Sequence, residues 1–532
     1  MTEYRESLKW DHGEHSLDLG ASFIRRTWNN FGSGPGLGMW IINDLPSLLQ
    51  GQFLQVQREV DLDTAHYLSW EPSAYLQEQW KALPRLTLNA GLRYDIFTPP
   101  TESRNRMNNF DLATGEIVVA SQNGVSRTAG VKTDYRGVAP RLGFNWRMLA
   151  ETTLIGGFGI VYFRPIDNFF YKAPPFIYSF GTCSSQTCPD GFTSLAAGLP
   201  FVQTPDANNP SGTLIGMRSF DLRNSYVKQL NLGIERQHRS DTFRIFYVGV
   251  FGRDIARSFP DINAPPPNTA ANPNALRPFY PTVPNLATIA YVDTEGSSSY
   301  NALQASFAHA YEHGLTAQFN YTWAHGLDDV GGPQAGFGTV PALSSKLDYG
   351  NSSYDVRQRL AATMFYELPF GKAATGICGW LIRSWQVNLS GVWSTGLPFT
   401  VVNATDASNT NPGASAADRP DQVAKATLKN PAVAEFFNTA AFVRQLPGTL
   451  GNEASNQLYG PHNRRLDISL FKNVRIGKEA AVQFRAEVFN ATNTVNFAAP
   501  ASVLGAANFG QLTQMTAGYA PRQVQLALRF QF

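Results

Sequence analysis

The chain has 532 residues and is 43% hydrophobic, with 43 Lys and Arg against 41 Asp and Glu for a formal net charge of +2. So even a balance leaves no broad basic field to recruit nucleic acid, and no stretch approaches the ~20 consecutive apolar residues of a membrane-spanning helix. Three cysteines, Cys183, Cys188 and Cys378, are too few for a disulfide-dense scaffold, while 36 Phe, 20 Tyr, 10 Trp, 45 Gly and 33 Pro read as strands and loops.

The N-terminus, MTEYRESLKWDHGEHSLDLGASFIRR, lacks the basic stretch followed by an apolar stretch that marks a signal peptide. It predicts a hairpin, 4–12 and 15–28, turning at Gly13-Glu14. GSGPGLG, Gly32 to Gly38, lacks the Lys-Ser/Thr and strand-to-helix setting of a phosphate loop and reads as loop flexibility. Pro46 to Val60 and Ala432 to Ala441 are the only modest helix candidates.

Strands then recur along the chain. Segments 69–82, 86–98, 134–148, 152–163, 226–239, 242–255, 298–312, 315–327, 353–369, 381–398, 463–475, 480–491 and 521–532 alternate apolar and polar residues. Leu315, Ala317, Phe319, Tyr321 and Trp323, for example, interleave with Thr316, Gln318, Asn320 and Thr322, the period of a two-faced strand. With the first hairpin, about fifteen such segments are expected, or sixteen if one lies within Gln50 to Asp61.

Their connections alternate between short and long. Gly13-Glu14, Leu83-Pro84-Arg85, Ala150-Glu151, Ser240-Asp241, His313-Gly314 and Gly477-Lys478-Glu479 are minimal, whereas roughly 29–68, 99–133, 164–225, 256–297, 328–352, 399–462 and 492–520 are long excursions. Short turns at one end and long loops at the other are the pattern of an outer-membrane barrel. In hydrocarbon an unpaired strand edge costs several kcal/mol per orphan amide, so such a sheet must close. The expected fold is an all-β antiparallel transmembrane β-barrel in the lipid bilayer, with short periplasmic turns and long extracellular loops. Its apolar stripe faces lipid, its Gln/Arg/Asn/Thr stripe lines the lumen, and Trp80, Tyr94, Trp146, Tyr162 and Phe163 stand at the interfaces.

The stretch from Tyr459 to Phe532, YGPHNRRLDISLFKNVRIGKEAAVQFRAEVFNATNTVNF followed by FGQLTQMTAGYAPRQVQLALRF, resembles the C-terminal end of TonB-dependent outer-membrane receptors of the Oar-like type. SAYLQEQWKALPRLTLNAGLRYDIFTPPTESRNRMNNFDLATG, Ser73 to Gly115, agrees, and the resemblance runs from about His15 to the last residue. It implies a 22-stranded barrel around an N-terminal plug, energised by the TonB-ExbB-ExbD complex and located in the outer membrane of a Gram-negative bacterium. A first strand running from outside to inside and an odd count fit strands eight to twenty-two, so residues 1–532 are expected to be a single barrel domain. On this reading they are the C-terminal part of a receptor, without plug, signal peptide or carboxypeptidase-regulatory-like domain. The ending PRQVQLALRFQF, with Leu526, Leu528, Phe530 and Phe532 on one face, resembles the terminal-phenylalanine signal read by the outer-membrane assembly machinery.

Receptor-type transport, in the direction of uptake or export, is the function this resemblance implies. A passive porin-like channel and a surface adhesion or structural barrel share the strand pattern. No Gly-Xaa-Ser-Xaa-Gly elbow or carboxylate pair nominates an enzyme, and no cofactor motif is present. His309, His313 and His325 with Asp328 and Asp329 suggest a metal or acid-base cluster, but His309 and His313 share a strand face at i,i+4, about 13 Å apart and too far for one ion, so the set reads as water-facing polar residues. Substrate-contact candidates are Phe169, Phe170 and Tyr171 in the aromatic loop FRPIDNFFYKAPPFIYSFGTC, and the acidic pair Asp328 and Asp329. Cys183 and Cys188 bracket CSSQTC at a spacing open to either a small disulfide loop or two free thiols.

Overall fold

His313 and Gly314 both adopt positive φ, 51° and 87°, and so close a tight hairpin of the twist that favours antiparallel pairing. A side chain at Gly314 would place its Cβ 2.9 Å from the carbonyl oxygen of Glu367, so this turn needs glycine. Similar tight turns join strand pairs along the whole chain. In the computed structural model, residues 1–30, 39–42, 45–53, 55–61, 64–164, 177–183, 195–197, 212–259, 261–330, 348–371, 375–410, 418–476 and 480–532 are described.

Fifteen long strands among them form one antiparallel wall. They are β1 (Thr2–His12), β2 (His15–Asn30), β3 (Ala65–Leu83), β4 (Leu86–Asp95), β5 (Val138–Leu149), β6 (Thr152–Tyr162), β7 (Tyr226–His238) and β8 (Asp241–Phe259). There follow β9 (Leu286–Glu312), β10 (Leu315–Asp328), β11 (Gln358–Glu367), β12 (Trp385–Ser394), β13 (Asn463–Ile476), β14 (Ala480–Phe489) and β15 (Gln523–Gln531). Each pairs with its neighbour in sequence, β1 with β2 through to β14 with β15. All fifteen coincide with the expected segments.

Four expectations are corrected. Gln55–Asp61 is a strand, but it pairs with Met39–Ile41 and Ile177–Cys183 in a separate sheet, so it adds no sixteenth wall strand. The helix expected over Pro46 to Val60 is only α1 (Leu45–Leu49), and Ala432 to Ala441 contains one short 3-10 turn, Thr439–Ala441. The strand expected over 381–398 begins only at Trp385, because Gly376–Ile382 forms a helix, α2.

Register sorts the wall into two faces. One cross-strand row reads Trp80, Leu88, Phe144, Gly156, Leu232, Tyr247, Leu303 and Trp323, apolar but for the tyrosine hydroxyl. Its neighbours on that face are open to the surroundings: Leu142 is 60% exposed and Ile245 58%. The opposite face carries Asn89, Gly143, Gly157 and Asn231 in one row and Gln77, Gly91, Arg141, Gly159 and Gln229 in the next. A continuous exposed apolar face is unsustainable in water and is what a lipid-facing wall requires.

The buried hydrophobic clusters lie in the long loops and against the outer ends of the strands, not across the middle of the wall. Met107, Ala129, Val131 and Leu222 gather with Tyr67 at the top of β3. Phe110, Leu214, Met217, Leu286 and Ile289 form a second cluster, and Phe399, Val401, Phe437, Phe442 and Leu458 a third. In the third, Phe437 meets Phe442 and Phe509 edge-on at 5.7 and 5.2 Å, a geometry that favours aromatic pairs. The excursions are therefore folded caps with their own cores.

Candidate functional site

The polar face of the wall is cross-linked by charge. On β3, Glu71 accepts two hydrogen bonds from Arg26 of β2, at 2.7 and 3.1 Å, and a third from Arg164. Arg164 also stands over the ring of Trp28, 5.3 Å from its centroid. One layer along, Arg93 donates to Asp95 at 2.8 Å and to Ser73 at 2.9 Å, and Ser73 meets Ser22 at 2.8 Å. At the other end of the wall, Arg485 lies over Phe471 at 4.8 Å, and Gln483 donates to Asn473 at 2.7 Å. Between these, glycines face long polar side chains: a Cβ on Gly157 would lie 3.2 Å from the Asn231 amide nitrogen. Glycine here leaves room for the asparagine and thins the wall.

Aromatic side chains mark both ends. Trp80 and Trp146 stand on the apolar face near the short turns, and Trp80 stacks on His15 at 5.6 Å. Tyr94, Tyr162 and Phe163 lie at the long-loop end, where Tyr94 donates to the Tyr135 carbonyl at 2.9 Å and Tyr162 meets Tyr226 at 5.2 Å. These are the interfacial levels expected of them.

Beyond that level β8 and β9 continue outward, β9 reaching 27 residues in all, well past the ~9–11 that cross a membrane. On this extension Arg257 grips Asp293 with two hydrogen bonds, at 3.0 and 2.7 Å, and reaches Glu295 at 3.0 Å. Asp328 ends β10 and is buried. Asp329 accepts the Ser297 amide at 2.6 Å and lies 3.3 Å from the Ser297 hydroxyl. Asp329 is thus tied to the β9 extension at the loop end of the wall, with buried Asp328 next to it at the end of β10.

The loop caps also bond to one another at this end of the wall. Asn351 and Asn456 exchange amide-to-carbonyl hydrogen bonds at 2.7 and 2.8 Å, and Tyr459 donates to Asp355 at 2.6 Å. Buried Arg419 pairs with Asp348 and donates to the Glu453 carbonyl at 3.5 Å. The Glu453 carboxyl is wholly buried, and that burial raises it to about 7 against the attraction of Arg419. At the opposite extreme, burial of Glu102 is outweighed by amides of Arg106, His66 and Arg104, which hold its carboxyl down to about 2. Neither residue stood out in the sequence, because a lone loop glutamate carries no periodic signal.

The histidines do not converge. His309 contacts Asp241 at 2.7 Å, His325 contacts Asn351 at 2.9 Å, and His313 sits exposed at its turn. Among the described residues, no three His, Cys, Asp or Glu side chains are grouped to hold a metal ion. Phe169, Phe170, Tyr171, Cys188 and the Gly32 to Gly38 motif lie outside the described residues, as does any bond between Cys188 and Cys183.

Comparison with known proteins agrees with this architecture. Residues 1–525 match the family model of the outer membrane beta barrel domain. The chain belongs to this family of outer-membrane β-barrels. Its turns are therefore periplasmic, its long loops extracellular, and its location the outer membrane of a Gram-negative bacterium.

Among solved structures, it is similar to the outer membrane transporter YddB from Escherichia coli, with 11% identity and a TM-score of 0.53 over 100% of this chain and 54% of that one. The siderophore receptor PirA from Acinetobacter baumannii (10% identity, TM-score 0.48, 100% and 54% covered) and the FrpB iron transporter from Neisseria meningitidis (12%, 0.45, 100% and 55%) align less well. At such identity the likeness to YddB is one of fold alone. The chain spans about half the length of the solved structures it matches. A search of curated proteins finds no significant match.

Proposed function

We propose that this chain is the barrel portion of a TonB-dependent receptor that binds its substrate at the extracellular loops and passes it through the lumen. The observation that carries this reading is a polar, glycine-thinned face of the wall together with long loops that fold into caps at one end of it. Asp328 and Asp329, with Phe169, Phe170 and Tyr171, are the proposed substrate-contact residues at that end. Energy in such a receptor reaches a plug from the TonB-ExbB-ExbD complex, while this chain supplies wall and loops. The test is genetic: deleting the gene for this chain and deleting tonB in the same bacterium are expected to abolish uptake of the same compounds. Uptake unaffected by loss of TonB overturns the energised reading.

The glycine rows Gly143, Gly157 and Gly91, Gly159 favour one alternative, a passive channel. A steady single-channel conductance from the purified chain in planar bilayers supports it, and a sealed product excludes it.

The same reading makes the fifteen strands the eighth to twenty-second of a 22-stranded barrel. Immunoblotting the native outer membrane for the 395–462 loop tests this through the mass of the band. We further propose that Leu526, Leu528 and Phe530, on the exposed apolar face of β15, and Phe532, the exposed residue just past its end, form the assembly signal. Replacing Phe530 and Phe532 by serine is then expected to lower the amount of assembled barrel without lowering synthesis.

A further inference from the structure

Helix α2, with the sequence GICGWLI, joins β11 to β12 at the short-turn end, where the tight turns elsewhere need only two or three residues. It carries no charge, its N-cap Thr375 makes no side-chain cap bond, and Gly379 is its only buried residue. Seven residues without a cap do not hold a helix in water unaided. Ile377, Trp380 and Leu381, at the i, i+3 and i+4 positions of one helical face, are 79, 59 and 53% exposed, and Ile382 flanks them. An apolar face of this kind calls for an apolar environment.

The anchorage of the helix identifies that environment. Trp385 and Lys472 are cross-strand partners on the lipid-facing side of the wall, in the row that continues to Phe484 and Leu528. The Trp385 indole donates to the Leu381 carbonyl at 2.8 Å, Lys472 donates to the same carbonyl at 3.1 Å and also to that of Arg383, and Lys472 lies 5.2 Å from the Trp385 ring. The end of α2 is therefore fastened to the outside of the barrel, continuous with the lipid belt, and the Lys472 ammonium is covered there by helix carbonyls. Arg383 donates to the Gly371 carbonyl at 2.8 Å and closes the base of the segment.

We propose that α2 is an interfacial anchor that lies in the periplasmic leaflet of the outer membrane, with Ile377, Trp380 and Leu381 inserted among phospholipid acyl chains. The charges of Arg383 and Lys472 stand at the headgroup level, the arrangement of amphipathic elements that lie on a bilayer rather than cross it. The inference rests on the outer-membrane barrel reading and is independent of what the barrel transports.

Cys378, exposed on the helix, supplies the reporter. The full chain with Cys183→Ser and Cys188→Ser, labelled at Cys378 with an environment-sensitive fluorophore, is reconstituted into phosphatidylethanolamine and phosphatidylglycerol vesicles carrying acyl-chain nitroxides. Control labels at Leu389→Cys on the lipid face and Ser390→Cys on the lumen face, in the same cysteine-free background with Cys378→Ser, report barrel insertion. The expected result is loss of fluorescence at Cys378 and Leu389→Cys but not at Ser390→Cys, with Ile377→Asp reducing the loss at Cys378. Quenching at Leu389→Cys alone overturns the anchor while leaving the barrel intact. Quenching at neither lipid-side position overturns both, and protection of Cys378 in every lipid by self-association or by a periplasmic protein overturns the lipid assignment.

Discussion

Arg26 presents its guanidinium edge to Glu71 across the seam between β2 and β3, with hydrogen bonds of 2.7 and 3.1 Å that fix both carboxylate oxygens. Arg164 shares the same carboxylate from the loop that follows β6. Glu71→Ala removes the carboxylate that these two cations share, and leaving buried polar groups without a partner costs roughly 1–3 kcal/mol. We expect a lower urea midpoint for the variant barrel in detergent, measured by its heat-modifiable migration. An unchanged midpoint would show the pair to be dispensable.

Neighbouring residues on β7 separate the two faces sharply. Leu232 is on the exposed apolar row, paired with Gly156 and Tyr247, and Asn231 is on the polar row. Arginine at a lipid-facing position near the bilayer centre costs about 2–4 kcal/mol, whereas lumen positions tolerate it. Leu232→Arg should therefore reduce the yield of folded barrel in liposomes while Asn231→Arg leaves it close to the parent. Equal losses would contradict the assignment of faces.

Glu102 predicts acid sensitivity in one loop. Its folded value of about 2 lies below the ordinary 4.5, so its contribution is fully present above 4.5 and is lost as pH falls from there through about 2. Exchange protection across 96–137, taken relative to the intrinsic amide rate at each pH, is expected to be high at neutral pH and to fall in that acidic window. Glu102→Gln should show fast exchange already at pH 7.

Glu453 predicts the reverse sign. Its folded value of about 7 lies above the ordinary 4.5, so the folded loop binds this proton more tightly than the unfolded one. The cost of ionising it is absent below 4.5 and grows as pH rises through about 7. Exchange protection across 418–462, corrected for the intrinsic pH dependence of amide exchange, should accordingly be greater at pH 5 than at pH 8, and Glu453→Gln should remove the difference. A wild-type loop indifferent to pH over that range argues against a buried carboxyl.

Strand after strand of the wall was legible because its environment differs on its two sides. A segment such as Leu86, Leu88, Ala90 and Leu92 against Thr87, Asn89 and Arg93 states its own period within a few residues. The caps were not legible. Phe399, Phe437, Phe442 and Leu458 meet only after some sixty residues of chain have folded back, and no local window contains that cluster. Helix α2 was missed for a related reason: seven residues complete barely two turns, too few to establish a 3.6-residue period, so its end was absorbed into the strand that follows.

Sequence order and spatial order are the same throughout the fifteen-strand wall. Each new strand finds its partner at the end of a turn or loop it has just left, so little chain entropy is spent on distant searches. Construction can advance as a zip, one hairpin at a time, each new strand pairing with the edge just formed, while the tight turns stay on the periplasmic side and each cap is carried across to the outside. The polypeptide thus carries its own order of assembly.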